Sequence, residues 1–373
     1  MKTINLVQLG IGLIGRTTIE QVLDNRERWK QTLGIDVRYR GLIDFEGGTA
    51  CEDPDGYSEA TLRAVCAARA AGQGLAAAAQ ARGLTLRDPR EVIDRVIGLG
   101  PAIVLDTAVG DRTAELDAYA VQAGAGAVFS NKAPLALPMG DAAGDALWAC
   151  AGPLGRVRYE TTCGAGLPVI STLRSLLETG DEVIEIVGAL SGTLGAIFSD
   201  LAAGVPFSVA VRNAKERGYT EPDPRDDLSG LDVARKALIL ARTIGRQINL
   251  DDLTVENLVP EHVRTVPVAE FLERASELDD AMAARAAEAR ASGKALKYVA
   301  TVRPDGPIAV GIRAIETTTV LGALQGPENI ISFRTKRYDA YPLNVTGPGA
   351  GAAVTAAGVV ADMLALATGP LFG

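Results

Sequence analysis

Histidine is almost absent: the only one in 373 residues is His262, in a Pro-flanked polar stretch. Ser-His-Asp and Cys-His catalysis, and multi-histidine metal sites, therefore have little to draw on. An enzyme built from this chain must take its protons mainly from Lys, Asp, Glu or Tyr. Cysteine is scarce too. Cys51, Cys66, Cys150 and Cys163 are scattered with no C-x-x-C pair. That speaks against a disulfide framework or a thiolate zinc site and fits a reducing compartment. No Lys/Arg cluster is present and the net charge is −9, so the basic face that a phosphate backbone requires is missing. No run approaches the roughly 18 apolar residues of a membrane helix. The longest candidate, 352–368, is interrupted by Thr355 and Asp362 and reads as an Ala-rich buried helix. The N-terminus lacks the long apolar stretch of a signal peptide, with Gln8 breaking it. The expectation is a cytoplasmic protein that binds neither nucleic acid nor membrane and acts on a small molecule.

What is present is a strand–helix alternation. Residues 4–9 read as a buried strand, 16–29 as a helix, 36–43 as a second strand ending at Asp44, and 47–60 as a loop. Ala-rich helical sequence continues to about Arg82. A strand at 102–106, a helix near 112–123 and a further strand before Asn131 follow. This pattern predicts an α/β fold with a Rossmann-type, doubly wound parallel sheet in the first 150 residues. The second half differs: strand-like segments at 183–190, 296–302, 308–322 and 330–333 are separated by long helical stretches, which indicates an α+β domain. Gly-rich 347–351 opens the final helix.

The glycines Gly10, Gly12 and Gly15, with Ile11, Leu13 and Ile14 between them, form a G-x-G-x-x-G between a strand and a helix. The first glycine allows the tight turn, the second lets a pyrophosphate approach the backbone, and the third permits close helix–strand contact. The unpaired N–H groups of the helix start then face the phosphates. Asp44, at the second strand end, stands about where an acid meets the adenosine ribose, although its spacing from Gly15 is long; it also suits a turn before a loop. An acid there favours NAD, and Arg38 and Arg40 soften that preference, so NAD and NADP both remain open. Thr107 and the pair Asn131-Lys132 follow strand ends that line the ligand crevice of such a sheet. Lys132 reads either as a solvated charge or as a group meeting a carbonyl or the cofactor.

Residues 218–242 are the most informative stretch. A Pro-containing acidic loop leads into a helix whose apolar residues nearly encircle it. Asp232 and Lys236 lie four apart and share one helix face. An exposed pair of this kind contributes only tenths of a kcal/mol. The apolar helix around it argues for burial, where an Asp–Lys pair is expensive unless it has a task. Residues 160–168 form a Gly-rich loop after a strand. Cys163 within it has no sequence-evident base beside it and reads as packed into the loop.

Together these motifs resemble the homoserine dehydrogenase family. The likeness runs over most of the chain: GIGLIGR at 10–16, SNK at 130–132, ETTCGAGLP at 160–168, SGT at 191–193, GYTEPDPRDDLSGLDVARK at 218–236 and GPGAGAAVTA at 347–356. It implies reversible NAD(P)H-dependent reduction of L-aspartate 4-semialdehyde to L-homoserine. It also implies two active-site lysines at Lys132 and Lys236, a catalytic Asp232, and substrate-binding acids at Glu221 and Asp227. Thr193 and Tyr219 would border the same pocket. Glu160, Cys163, Ala165 and Leu167 would form a monovalent-cation site, usually sodium, built largely from backbone carbonyls. Gly347 would begin a segment returning to the cofactor domain. The expected organisation is therefore a dinucleotide-binding domain of 1–150 joined by 340–373, and a catalytic and dimerisation domain of 151–339, in a homodimer.

Two departures stand out. Where relatives carry a polar residue and a tyrosine after the SGT segment, this chain has Gly195 and Ala196. That loss of bulk would enlarge the pocket and admits another amino-acid semialdehyde as substrate. The loop at 45–58 is atypical as well. A dinucleotide-binding protein without turnover is a third reading, against which the intact set of Lys132, Glu221, Asp227, Asp232 and Lys236 argues. No appended regulatory domain is expected after the final helix.

Overall fold

The structure, a computed structural model, describes residues 1–372. It divides into two compact units. One is Met1–Gly166 together with the C-terminal segment from Gly351, and the other is Leu167–Ala350. The changeovers fall later than 150 and 339. The strand Val157–Arg158 belongs with the first sheet and the turn Glu160–Thr162 with the first unit, and the strand Leu343–Pro348 belongs with the second sheet.

The first unit holds β1 (Lys2–Leu9), β2 (Ile35–Asp44), β3 (Gly47–Ala50), β4 (Ala102–Asp106), β5 (Gly126–Phe129) and β6 (Val157–Arg158), in the spatial order β3-β2-β1-β4-β5-β6. All neighbours are parallel except β3, which runs antiparallel to β2. The chain steps from β1 to β2 on one side and returns to β4 on the other. The crevice of a doubly wound sheet therefore opens beyond the ends of β1 and β4. Both faces are covered. Helices Leu13–Leu33 and Ala352–Thr368 bring Ile19, Val22, Val359 and Met363 to one side, against Ile4, Leu6 and Ile103. Helix Pro89–Ile97 brings Val92, Ile93 and Val96 to the other, against Val7 and Val104. Fully burying each such side chain stabilises the fold by about 1.5–3 kcal/mol before entropy is counted.

Several expectations need correction here. Residues 47–60 are not loop throughout, since Gly47–Ala50 pairs with Gly41–Asp44 as β3. The helical stretch to Arg82 breaks at 71–74 into Glu59–Ala70 and Leu75–Gln80, where Gly72 has a positive φ. Helix Pro89–Ile97, started by the Asp88 cap on Arg90 N, was not anticipated. Arg40 is the extra residue where β2 slips against β1, between Leu6↔Tyr39 and Val7↔Gly41. This bulge contributes to the long spacing between Gly15 and Asp44.

The second unit holds β7 (Val183–Ala189), β8 (Thr254–Val255), β9 (Lys294–Val302), β10 (Ala309–Glu316), β11 (Glu328–Thr335) and β12 (Leu343–Pro348), ordered β12-β11-β7-β9-β10-β8. Only β8 and β10 pair in parallel. Helices Gly192–Ala202, Leu231–Thr243 and Asp279–Ala291 pack against β9. The strand expected over 308–322 stops at Glu316. Val320–Ala323 is instead a short helix capped by Thr319, whose hydroxyl accepts from Gly322 N.

Candidate active site

In the first unit the glycine turn is tied down from three sides. Gly10 has φ +82, and a Cβ there would stand 2.7 Å from the backbone of Ala108. A Cβ on Gly15 would stand 2.1 Å from the Gly10 carbonyl oxygen and 2.7 Å from Thr107 Oγ1. Gly12 is different: a Cβ there meets nothing within 4 Å, so its bareness is not demanded by the fold. Helix Leu13–Leu33 begins with Gly12 as its cap and no side-chain cap bond. Its first N–H groups thus face an open cradle, which fits a dinucleotide pyrophosphate. The Ile11 side chain is buried in the core and Leu13 is exposed, so this stretch offers backbone to a ligand.

Thr107 and Asn131 turn out to be braces. Thr107 Oγ1 donates to the Gly10 carbonyl at 2.8 Å and accepts from Gln8 Nε2 at 2.8 Å. Gln8, which interrupts the apolar run of β1, links β1, β4 and the glycine turn through its amide. Asn131 Nδ2 lies 3.1 Å from Asp106 Oδ2 and donates to the Gly110 carbonyl at 2.7 Å, while its Oδ1 accepts from Ala133 N. Lys132 is carried on the turn that this network fixes. Asp106 also accepts from Ala108 N and Thr113 Oγ1. Behind it lies Asp117, fully buried and missed by the sequence reading. Burial, and then the negative charge of Asp106, push the Asp117 carboxyl well above the ordinary range. An acid inside the otherwise Ala-rich helix Ala114–Gln122 was the available signal.

Asp44 does end β2, but its carboxylate lies 2.5 Å from Arg69 Nη2 at the end of helix Glu59–Ala70. Arg38 and Arg40 do not act on that position. Arg38 pairs with Asp36 and Asp55, and Arg40 donates to the carbonyls of Asp53 and Pro54. They clamp the atypical loop to the middle of β2.

The loop after β6 carries Glu160, Cys163 and Ala165 in the first unit, while Leu167 is the first residue of the second. Glu160 and Cys163 are buried, and Glu160 N donates to Asp362 Oδ2 at 2.7 Å. Ala165, φ +54, is the one non-glycine residue in the left-handed region among the described residues. Gly166 is pinned by Val354, whose carbonyl oxygen would lie 2.1 Å from a Cβ. Tightly turned backbone beside a buried carboxyl supplies hard oxygen donors, which suit a monovalent cation better than the Cys163 sulfur does. Gly347 lies on β12 opposite Asn329, with Leu167 Cδ2 3.0 Å from where its Cβ would be.

The second unit gathers the remaining residues around the turn 190–193. Lys236 Nζ donates to the Leu190 carbonyl at 2.6 Å and lies 2.7 Å from Asp232 Oδ2. The pair is not buried as a whole: the Lys236 side chain is 10% exposed and that of Asp232 47%. Leu231 is exposed as well, so the apolar belt begins only after the first turn of helix Leu231–Thr243. Two residues past Ser191, Thr193 Oγ1 sits 2.5 Å from the Tyr219 carbonyl and 2.9 Å from Asp227 Oδ1. Asp227 Oδ2 accepts from Glu221 N at 2.8 Å. Burial raises the Asp227 pKa, and the like charges of Glu221 and Asp232 add to it. Glu221 and Tyr219 are exposed. One ammonium, three carboxyls and a hydroxyl thus converge on a single turn, an arrangement able to hold a cationic amine and move a proton.

His262 takes no part; its Nε2 lies 2.7 Å from Glu277 on the surface. Gly195 is explained by the fold, since a Cβ there would be 2.8 Å from the Gly326 carbonyl. Ala196 instead lines a cavity of about 670 Å³ that Tyr219 also borders. Among the described residues, no three His, Cys, Asp or Glu side chains form a metal cluster, and no helix is long and apolar enough to cross a membrane.

The homoserine dehydrogenase family model matches residues 168–364. The bifunctional aspartokinase/homoserine dehydrogenase 1 of Arabidopsis thaliana is 48% identical over 211 residues, 56% of this chain and 23% of that protein. The homoserine dehydrogenase of Paracoccidioides brasiliensis is 46% identical over 219 residues, 56% of this chain and 59% of that protein. The chain thus spans less than two thirds of the length of these relatives. Among solved structures, a Candida auris protein of unknown function has 30% identity and a TM-score of 0.84, covering 98% of this chain and 99% of its own. An archaeal homoserine dehydrogenase in complex with NADPH shares the fold, with a TM-score of 0.73 at 23% identity, covering 98% and 97%. With its family model spanning more than half of the sequence, and the acidic loop and lysine helix inside that span, this chain belongs to the homoserine dehydrogenase family.

Proposed function

We propose that this chain catalyses the reversible NAD(P)H-dependent reduction of L-aspartate 4-semialdehyde to L-homoserine. The observation that carries the reading is the convergence of Lys236, Asp232, Asp227, Glu221 and Thr193 on the turn 190–193. Glu221 and Asp227, with the Tyr219 carbonyl, offer acceptors to the substrate ammonium. Lys236 is held by Asp232 and the Leu190 carbonyl, in position to donate a hydrogen bond to the aldehyde oxygen and then its proton. Lys132, which the family likeness also gives as an active-site lysine, is carried in the first unit on the turn that Asn131 fixes.

NAD(P)H, when bound, supplies the hydride. The bare Gly12 and the uncapped helix start of residue 13 would receive its pyrophosphate, and the region of Asp44 its adenosine ribose. Glu160, Cys163, Ala165 and Leu167 would hold a monovalent cation through oxygen donors, whose contribution is to order the loop. The family likeness further carries the expectation of a homodimer acting in the cytoplasm, tested by sedimentation and by cell fractionation.

The experiment is reduction of NAD⁺ and NADP⁺ by L-homoserine, followed by the absorbance of the reduced cofactor, with and without sodium or potassium. Turnover supports the reading. Cofactor binding with turnover only on a bulkier hydroxy amino acid would replace it with the alternative that Ala196 favours.

A further inference from the structure

β9 is paired along one side only for much of its length. β10 accompanies it from Lys294↔Glu316 to Thr301↔Ala309. β7 pairs with it only from Ile186↔Val302 to Gly188↔Ala300, and the chain then turns at Leu190 into helix Gly192–Ala202. Beside the N-terminal half of β9 this leaves a notch walled by that helix and by residues 322–327. The 670 Å³ cavity fills the notch, with Ala196, Ser199, Asp200, Ala203, Tyr219 and Lys297 among its lining.

Lys297 is the unexpected member. It is only 6% exposed, on a central strand, and its ammonium donates to the Leu324 carbonyl and to no other group among the described residues. An ammonium has three donors and a full charge. The one carboxylate in the lining, Asp200, is engaged elsewhere, by Arg217 at 3.7 Å and by Asn213 Nδ2 at 3.2 Å. Burial alone holds the Lys297 pKa below its ordinary value, with no anion opposing it. Burying a lysine this way is unfavourable unless a counter-charge arrives, and an apolar residue of similar volume would serve the sheet better. The remaining lining includes methyl groups of Ala196, Ala203 and Ala295, with Arg217 as a second cation. A volume of this order is typical of small-molecule sites.

We propose that this cavity is a binding site for a small organic carboxylate. The carboxylate is received by the ammonium of Lys297, and an apolar body of up to roughly ten carbon atoms lies against the alanine methyls. The site lies wholly within the second unit, and its occupancy reaches the proposed substrate residues through Tyr219, which lines the cavity and whose carbonyl contacts Thr193.

The test uses the full chain and direct binding by calorimetry or ligand-observed NMR, without turnover, so its outcome is independent of the dehydrogenase reading. The probe is 3-phenylpropionate, with 3-phenylpropionamide as its neutral counterpart. The acid is expected to bind the wild type and the amide not to. Lys297→Met is expected to weaken binding at least about tenfold, as is Ala196→Phe, which fills the cavity. Should Lys297→Met not fold, Ala196→Phe and the acid-against-amide comparison decide. Equal binding of acid and amide, unchanged binding in the folded variants, or no binding to a cooperatively melting wild type would each overturn the proposal.

Discussion

Lys236 is held between two unlike acceptors: the carboxylate of Asp232, 2.7 Å away and one turn earlier on the same helix, and the carbonyl of Leu190 at 2.6 Å. The lysine is buried and the aspartate half-exposed. Removing the amine therefore strands a carboxylate that water can still solvate, so the stability cost stays modest. Lys236→Ala is expected to lower kcat by about 10²–10⁴, the usual worth of a positioned proton donor, with a native melting transition. Asp232→Asn keeps the amine but loses its charged anchor and should cost less. Steady-state kinetics on both variants check this; near-normal turnover by Lys236→Ala would remove Lys236 from the proton step.

The ion pair of Asp44 and Arg69 bears on which cofactor is used. An acid ending β2 repels a 2′-phosphate, but here its charge is matched by a guanidinium at 2.5 Å. Asp44→Asn removes the repulsion and frees Arg69 for a phosphate, a charge-assisted contact. The ratio of kcat/KM for NADPH over NADH is expected to rise on the order of tenfold, or about 1.4 kcal/mol. Arg69→Met should move the ratio the other way. A ratio unmoved by both substitutions would place the ribose away from this pair.

Asp117 sets a pH dependence of known sign. Its folded pKa lies far above the unfolded value of about 3.9, chiefly through burial. The stability linked to its proton is therefore complete below about pH 3.9 and drains away as pH rises toward the folded value. Asp117→Asn keeps the size of the side chain and cannot titrate. Its melting temperature should match the wild type near pH 4 and exceed it increasingly as pH rises. Melting curves across that range decide, and a gap that narrows with pH would contradict the assignment of the proton.

Much of this was legible because local pattern and chemistry coincide. Gly10 and Gly12 lie between a strand and a helix in sequence and in structure, with Gly15 in the first turn of that helix, and the 3.6-residue period puts Asp232 and Lys236 on one face. What stayed hidden depends on partners distant in sequence. The residues 47–50 have turn composition and become a strand only because β2 offers an edge. The role of Gln8 requires Thr107, and that of Asp117 requires Asp106. Gly195 and Ala196 look like one loss of bulk in sequence. The approach of the Gly326 carbonyl separates them into a packing requirement and a cavity wall.

Two of the three motif glycines can be told apart by substitution. At Gly15 an added methyl meets the Gly10 carbonyl at 2.1 Å and Thr107 Oγ1 at 2.7 Å, inside the clamp that joins β1 to β4. Gly15→Ala must move backbone, so it should destabilise by about 1–3 kcal/mol and also weaken cofactor binding. At Gly12 the methyl meets nothing within 4 Å, and the residue has φ −76, which alanine adopts freely. Gly12→Ala should therefore melt within about 0.5 kcal/mol of the wild type, as surface changes do. Its methyl would still stand where the pyrophosphate must approach, and cofactor affinity should fall at least about tenfold. Cofactor titration by fluorescence, run beside thermal melts, separates the two effects. A Gly12→Ala protein that binds NAD(P)H as tightly as the wild type would mean that the cradle is not where the pyrophosphate lies.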